Sequence, residues 1–215
     1  GIPVSVSPSG TTFLKAGQYA WVSFNAPSSY TLSSSSSGSS WYEFQYWVIT
    51  ANPVSDTNLG SSPYTTTSTR PPVEVTCPGN LNSTITISVS GTAYYQKDYV
   101  TLSGPTSVSQ SGSYTYTLSW SLAPYSAYEE DWSLSTQYTS TTTGYVVVSA
   151  TVNAVNAFGA QISPGANWQT YASCSTGTLI LGVSPNSATD YVSGQSGSDK
   201  VTATISIQCQ SIKIG

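Results

Sequence analysis

The feature that most constrains this chain is a repeated two-residue alternation of apolar and hydroxyl side chains. Tyr114, Tyr116, Leu118, Trp120 and Leu122 alternate with Thr115, Thr117, Ser119 and Ser121. Ile85, Ile87 and Val89 alternate with Thr86 and Ser88, and Val201, Ala203, Ile205 and Ile207 lead in the same phase to Cys209. Period two sends successive side chains to opposite faces of a strand, one face to a core and one to water. Further strands are predicted over Gln18–Asn25, over Trp41–Thr50 with Tyr42, Phe44, Tyr46 and Val48 on one face, over Tyr145–Val155 and over Thr178–Val183. Clusters of Gly, Pro, Ser and Asn separate them at Ser33–Ser40, Asn52–Pro72, Gly104–Gly112, Ser163–Asn167 and Ser184–Ser198. Short strands with turn chemistry between them predict an all-β antiparallel sandwich. One capping-box pattern, Ser126-Ala-Tyr-Glu129, predicts one or two helical turns. No internal repeat of solenoid or propeller length occurs.

Composition narrows the function. Charged residues are only 7% of the 215-residue chain, where a typical domain has roughly 25%. The place of charge is taken by 42 Ser and 29 Thr, and the apolar core must be built from 16 Tyr, 6 Trp and 4 Phe as much as from aliphatics. With no basic stripe, nucleic acid is excluded as a partner. No apolar run is long enough for a membrane-spanning helix. A surface of hydroxyls, without His or Met, suits an exposed and oxidising setting, and predicts a stability that changes little with acid. Gly1 reads as the first residue of a mature form trimmed from a precursor.

Few residues can carry chemistry. The absence of His removes the commonest general base and rules out Ser–His–Asp and Cys–His arrangements. Phosphate-binding and dinucleotide motifs are missing. Glu43, Glu74, Glu129, Glu130 and Asp131 could supply a pair of carboxylates or, at Glu129–Asp131, a calcium ligand set, but a solvated acidic turn explains the cluster as well. No catalytic, metal or cofactor site is therefore predicted. Lys15, Lys97, Lys200 and Lys213 are the only lysines, and each is worth inspecting for an isopeptide bond against the ordinary reading of a solvated side chain. Cys77 and Cys209 lie in core-facing phase and form the best candidate disulfide; with Cys174 they could equally be three buried thiols. Asn82-Ser83-Thr84 is an N-glycosylation sequon at a strand entrance. The serine run 33–37 and the threonine-rich tracts 65–69 and 139–143 read as polar loops that could also carry O-linked sugar.

The N-terminus stands apart. In Gly-Ile-Pro-Val-Ser-Val-Ser-Pro, Ile2, Val4 and Val6 share one strand phase, and two prolines mark an edge position. A chain end is usually polar and frayed, so an apolar strand here needs a groove, its own or a neighbour's. With the aromatic, hydroxyl-rich β domain, this resembles the subunits of archaeal surface filaments called threads and, more distantly, bacterial pilins assembled by donor-strand complementation. The resemblance implies an immunoglobulin-like, pilin-like sandwich over residues 11–215, preceded by a donor strand and hinge over residues 1–10. It implies Ile2, Val4 and Val6 as donor residues, Pro8 and Gly10 as hinge, identical subunits as head-to-tail partners, glycans as a modification, and an extracellular cell-surface location. The competing expectation is a non-polymerising extracellular shell or binding protein, such as a capsid or spike component, a surface-layer domain or a carbohydrate-binding adhesin. Its mark would be pairing of residues 2–6 within their own domain. A carboxylate-only hydrolase is the third reading.

Overall fold

A computed structural model describes residues 1–123, 127–128, 130–139, 145–147, 158–164, 176–185, 192–193, 196–205 and 208–210. The described chain is all β, with antiparallel pairing almost throughout and one short 3-10 turn at Val54–Asp56. Its strands, in chain order, are β1 (Ser5–Ser7), β2 (Tyr19–Asn25), β3 (Ser29–Ser35), β4 (Gly38–Asn52), β5 (Tyr64–Thr66), β6 (Pro72–Thr76), β7 (Ser88–Ser103), β8 (Ser107–Val108), β9 (Gly112–Ser121), β10 (Ala127–Tyr128), β11 (Trp132–Thr139), β12 (Tyr145–Val147), β13 (Phe158–Pro164), β14 (Thr176–Pro185), β15 (Val192–Ser193), β16 (Ser196–Ile205) and β17 (Gln208–Gln210).

Where one domain was expected over residues 11–215, the contacts group into two compact units: residues 1–30 with 42–96, and residues 31–41 with 97–215. Each has its own apolar core. In the first unit, β2 lies between β1 and β6, and β4 pairs with β5. Phe24, Ala26, Trp47, Ile49, Val73 and Val75 are buried together, with Phe44, Val89, Ala93 and Tyr95 packed against them. Phe24 meets Trp47 edge-on at 5.2 Å, and Phe44 meets Tyr95 at 5.7 Å, the geometry that aromatic quadrupoles favour. Each polar tip in this core has an acceptor: Trp47 Nε1 donates to the Thr69 carbonyl at 3.2 Å and the Tyr95 hydroxyl to the Pro27 carbonyl at 2.7 Å.

In the second unit, β16, β9 and the end of β7 form one set of antiparallel neighbours, and β13, β14 and β11 another, with β8 added parallel to β11. Val100, Leu102, Tyr116, Leu118, Trp132, Tyr138, Leu179 and Leu181 from both sets share one core. Inside it Thr136 Oγ1 donates to the Pro105 carbonyl at 2.8 Å, so the Tyr116 hydroxyl, 2.8 Å from the same oxygen, must donate to Thr136.

Rings lie over glycines in both cores. Tyr138 faces Gly177 across β11–β14, Trp120 faces Gly197 across β9–β16, and the Phe24 ring covers Gly91. A Cβ at Gly91 would come within 2.7 Å of Phe24, which is wholly buried and has nowhere to go.

Several local expectations change. Ala127–Tyr128 is a strand paired with β15, not a helical turn; Ser126 and Glu129 lie outside the described residues. Local helix capping yields here to ladder pairing. The serine run 33–37 is the β3–β4 hairpin, where Ser33 and Ser40 hydroxyls meet at 2.7 Å and Ser35 Oγ donates to the Gly38 carbonyl. On β4 the face of Tyr42, Phe44, Tyr46 and Val48 is half-buried or exposed, and the buried residues are Gly38 and Ser39 at its start and Trp47, Ile49 and Ala51 toward its end. The strand predicted from Ser83 begins at Ser88 and runs on to Ser103, through Lys97 and a fully buried Asp98. Residues 148–155 lie outside the described residues.

Two outcomes are expected. Gly91→Ala should lower unfolding free energy by about 1–3 kcal/mol by overpacking, whereas Gly79→Ala, with open space at its Cβ, should be near neutral in urea denaturation. Burial raises the phenol pKa of Tyr95, Tyr116 and Tyr138 above the ordinary value of 10.0. The unfolded chain then loses these protons first, so their contribution is full below about pH 10 and is lost as pH rises beyond it. Thermal melts from pH 8 to 12 should show Tm falling only on the alkaline side of that point.

Candidate functional site

The N-terminal strand lies on its own chain. β1 pairs antiparallel with β2 in the register Ser5↔Asn25, Val6↔Phe24, Ser7↔Ser23. Alternation turns Val6 toward the first core, where it is half-buried beside Val22 and Ile87. Pro8 has no N–H to carry the ladder further, and the strand ends there. Of the three expected donor residues, only Val6 falls inside β1. Ile2 is half-buried, Val4 is exposed, and the Val4 N–H closes a local turn on the Ile2 carbonyl at 2.9 Å.

Residues 8–18 connect β1 to β2. Pro8 and Gly10, the expected hinge, are both exposed. Gly10 has φ +82° with open space around it, a conformation that other residues rarely adopt. Phe13, in the middle of this connection, is 86% exposed. The connection is fastened at its end: Lys15 N–H donates to Gln18 Oε1, Gly17 N–H to the Cys77 carbonyl, and Cys77 N–H to the Gln18 carbonyl.

The two margins of the β1–β2–β6 sheet are finished differently. Along β6, Asn58 N–H donates to the Glu74 carbonyl at 3.0 Å, Glu74 N–H donates to Asn58 Oδ1 at 2.9 Å, and Thr57 bridges to Val75. That margin is occupied. At the other, β1 is the terminal strand, the position from which strand addition starts. The outer face of the same sheet carries Tyr19, 63% exposed, and Trp21, 47% exposed, with Glu74 opposite Trp21 and Thr76 opposite Tyr19. Arg70 Nε donates to Asn25 Oδ1 at 3.1 Å on the neighbouring position of β2.

The remaining candidates do not gather into a site. Cys77 is a free, buried thiol with its sulfur 3.8 Å from the Pro78 carbonyl, not half of a Cys77–Cys209 bridge. Strand phase placed it facing inward as expected. The Cys209 side chain and all of Cys174 lie outside the described residues. Asn82 is exposed in the irregular segment before β7, open to modification. Lys15, Lys97 and Lys200 are exposed; Lys213 lies outside the described residues. Glu43 sits on β4, Glu74 on β6, and Glu130 and Asp131 just before β11; Glu129 lies outside the described residues. Among the described residues no three Cys, Asp or Glu side chains come close enough to hold a metal ion, and no helix is long and apolar enough to cross a membrane.

Sequence reasoning missed the exposed Tyr19, Trp21 and Phe13. On β2 both phases are apolar, Tyr19 and Trp21 in one and Ala20, Val22 and Phe24 in the other. Alternation therefore gave no reason to prefer the aliphatic phase for the core. No protein-family model matches the chain, and neither a curated protein nor a solved structure matches it significantly.

Val6→Ala should destabilise the monomer by about 0.5–1.5 kcal/mol, the scale for trimming a half-buried branched side chain. Val4→Ala should fall within about 0.5 kcal/mol of the parent. Urea titrations of the two variants check the difference.

Proposed function

We propose that this chain is a structural subunit of an extracellular, cell-surface filament of the thread type, polymerising head-to-tail by exchange of its N-terminal strand. The observation that carries the reading is how lightly β1 is held. Three residue pairs and one half-buried valine anchor it at the end of a sheet, on a connection that starts with Pro8 and holds an exposed Gly10. Residues 8–18, fully extended, span roughly 35 Å, a tether long enough to let β1 leave its own sheet. Contacts made by Val6 are equivalent in the closed and exchanged states, so the balance is set by concentration and by whatever the exchanged state adds.

What it adds is burial of Ile2 and Val4. In the closed chain they precede β1, and Val4 stands in water. In a longer strand pairing on a neighbour they fall in phase with Val6, and an immunoglobulin-like, pilin-like sandwich missing one strand is the acceptor such pairing requires. The exchange is heterologous and open-ended, and therefore builds a fibre rather than a closed dimer. The exposed sequon at Asn82 fits an extracellular chain that carries glycan. The reading calls for no catalytic residue, metal or cofactor.

A second reading has one specific observation in its favour: β1 pairs within its own chain. It makes the protein a non-polymerising extracellular shell or binding protein, with β1 a permanent edge strand.

Val4→Asp separates the two. Val4 is exposed and lies outside β1, so the variant monomer should melt at the parental temperature. If Val4 enters a neighbour's groove, an unpaired charge there abolishes assembly. Negative-stain microscopy should show thin fibres from the parent protein and none from the variant. Fibres of ordinary length from Val4→Asp would overturn donor-strand exchange, and compact single particles from the parent would establish the second reading.

A further inference from the structure

We propose that Tyr46 and Tyr94 are an oxidative modification site, where a peroxidase using hydrogen peroxide joins the two rings as an intramolecular dityrosine that staples β4 to β7. The proposal stands on the geometry of this pair and is independent of strand exchange. β4 and β7 are neighbours in one sheet. Trp47 and Tyr95, the next residue on each strand, pack into the first core, so alternation sends Tyr46 and Tyr94 to the opposite face. There the two rings stack, with centroids 4.9 Å apart and planes 20° from parallel. Tyr46 is 38% exposed and Tyr94 45%. The Phe24–Trp47 and Phe44–Tyr95 pairs of the same unit instead meet edge-on against the core. Two phenols in contact through their faces, each open to a reagent, are what oxidative coupling requires.

The chemistry balances with peroxide as the sole oxidant. Each phenol gives up one electron and its hydroxyl proton. The two phenoxyl radicals pair their odd electrons in a carbon–carbon bond between ring positions beside the hydroxyls. The hydrogen on each of those carbons then moves to the phenol oxygen, so the pair loses two hydrogen atoms in all. Hydrogen peroxide takes up the two electrons and two protons and leaves as two waters. Because neighbouring strands hold both rings, the second radical is always at hand, and coupling within one molecule outruns encounter between molecules. The sulfur atoms that oxidants attack readily are withheld in this unit: the chain has no Met, and Cys77 is buried. A bond between residues 46 and 94 closes a long loop of the unfolded chain and does for the first unit what a disulfide would.

The test exposes the dilute protein to a haem peroxidase and hydrogen peroxide. It reads dityrosine fluorescence, chain size on a denaturing gel and linked peptides by mass spectrometry. The parent should gain the fluorescence while remaining a single chain, lose the mass of two hydrogen atoms, and yield a cross-linked peptide containing Tyr46 and Tyr94. Its melting temperature should rise by roughly 10 °C, as closure of so long a loop implies. Tyr46→Phe and Tyr94→Phe keep the ring and the stack but lack the hydroxyl, so each should cut the single-chain fluorescence about 10-fold or more. Tyr19→Phe, which removes a more exposed phenol (63%), should leave it unchanged. Fluorescence confined to joined chains, an undiminished yield from Tyr94→Phe, or no dityrosine from the parent would overturn the site. A cross-linked protein that melts at the parental temperature would overturn the stapling role.

Discussion

The structure depends on where the inward phase of its two longest strands changes. In β7 the residues packed on the first core are odd-numbered, Val89, Ala93 and Tyr95, and those in the second core are even-numbered, Val100 and Leu102. In β4, Trp41 packs on the second core, Phe44 on the first, and Trp47, Ile49 and Ala51 are buried from the next phase. A strand with strict alternation serves one core per face. β7 changes its inward phase between Tyr95 and Val100, and each part of it supplies one unit's core.

With so little charge available, side-chain packing and hydroxyl pairing must supply what ion pairs supply elsewhere. The cores answer with aromatic rings set edge-on or laid over strand glycines, where the ring covers backbone that has no Cβ to protect it. Two buried hydroxyls are finished by a short relay, Tyr116–Thr136–Pro105, in which each has one direction to donate in. Stability held this way responds to alkali through the tyrosines more than to the usual acid titration of His.

Much of the fold was legible in the sequence, because period two is a direct imprint of a half-buried strand. β9 and β16 fall where alternation put them, β2 and β14 where apolar and aromatic runs put them, and Cys77 faces inward as expected. The failures are local. Clean alternation over Ile85, Ile87 and Val89 marked a strand from Ser83, but the ladder begins at Ser88 and runs on through Lys97 and Asp98 to Ser103, and the exposed rings of β2 went unread because apolar residues occupy both of its phases. The serine hairpin was misread because hydroxyl residues that look like loop in composition can also sit on the exposed sides of two paired strands. At the candidate site, the sequence predicted an apolar N-terminal strand, and its Ser5–Ser7 part pairs as β1. It could not tell that Val6 alone would lie in β1, since that depends on where Pro8 and the turn at Ile2–Val4 limit the pairing.

The unequal finish of the β1–β2–β6 sheet bears on direction. A sheet with two open margins can add strands at either side and grows without polarity. Here Asn58 and Thr57 fill the β6 margin with hydrogen bonds from their own chain, and β1 alone stands at the other. In the exchange proposed above, a strand from another copy would take the place beside β2 that β1 leaves, and a chain that gives up its β1 would open that place to the next. Head-to-tail order would then follow from the closed β6 margin as much as from the donor strand, both carried by a few residues of one small sheet.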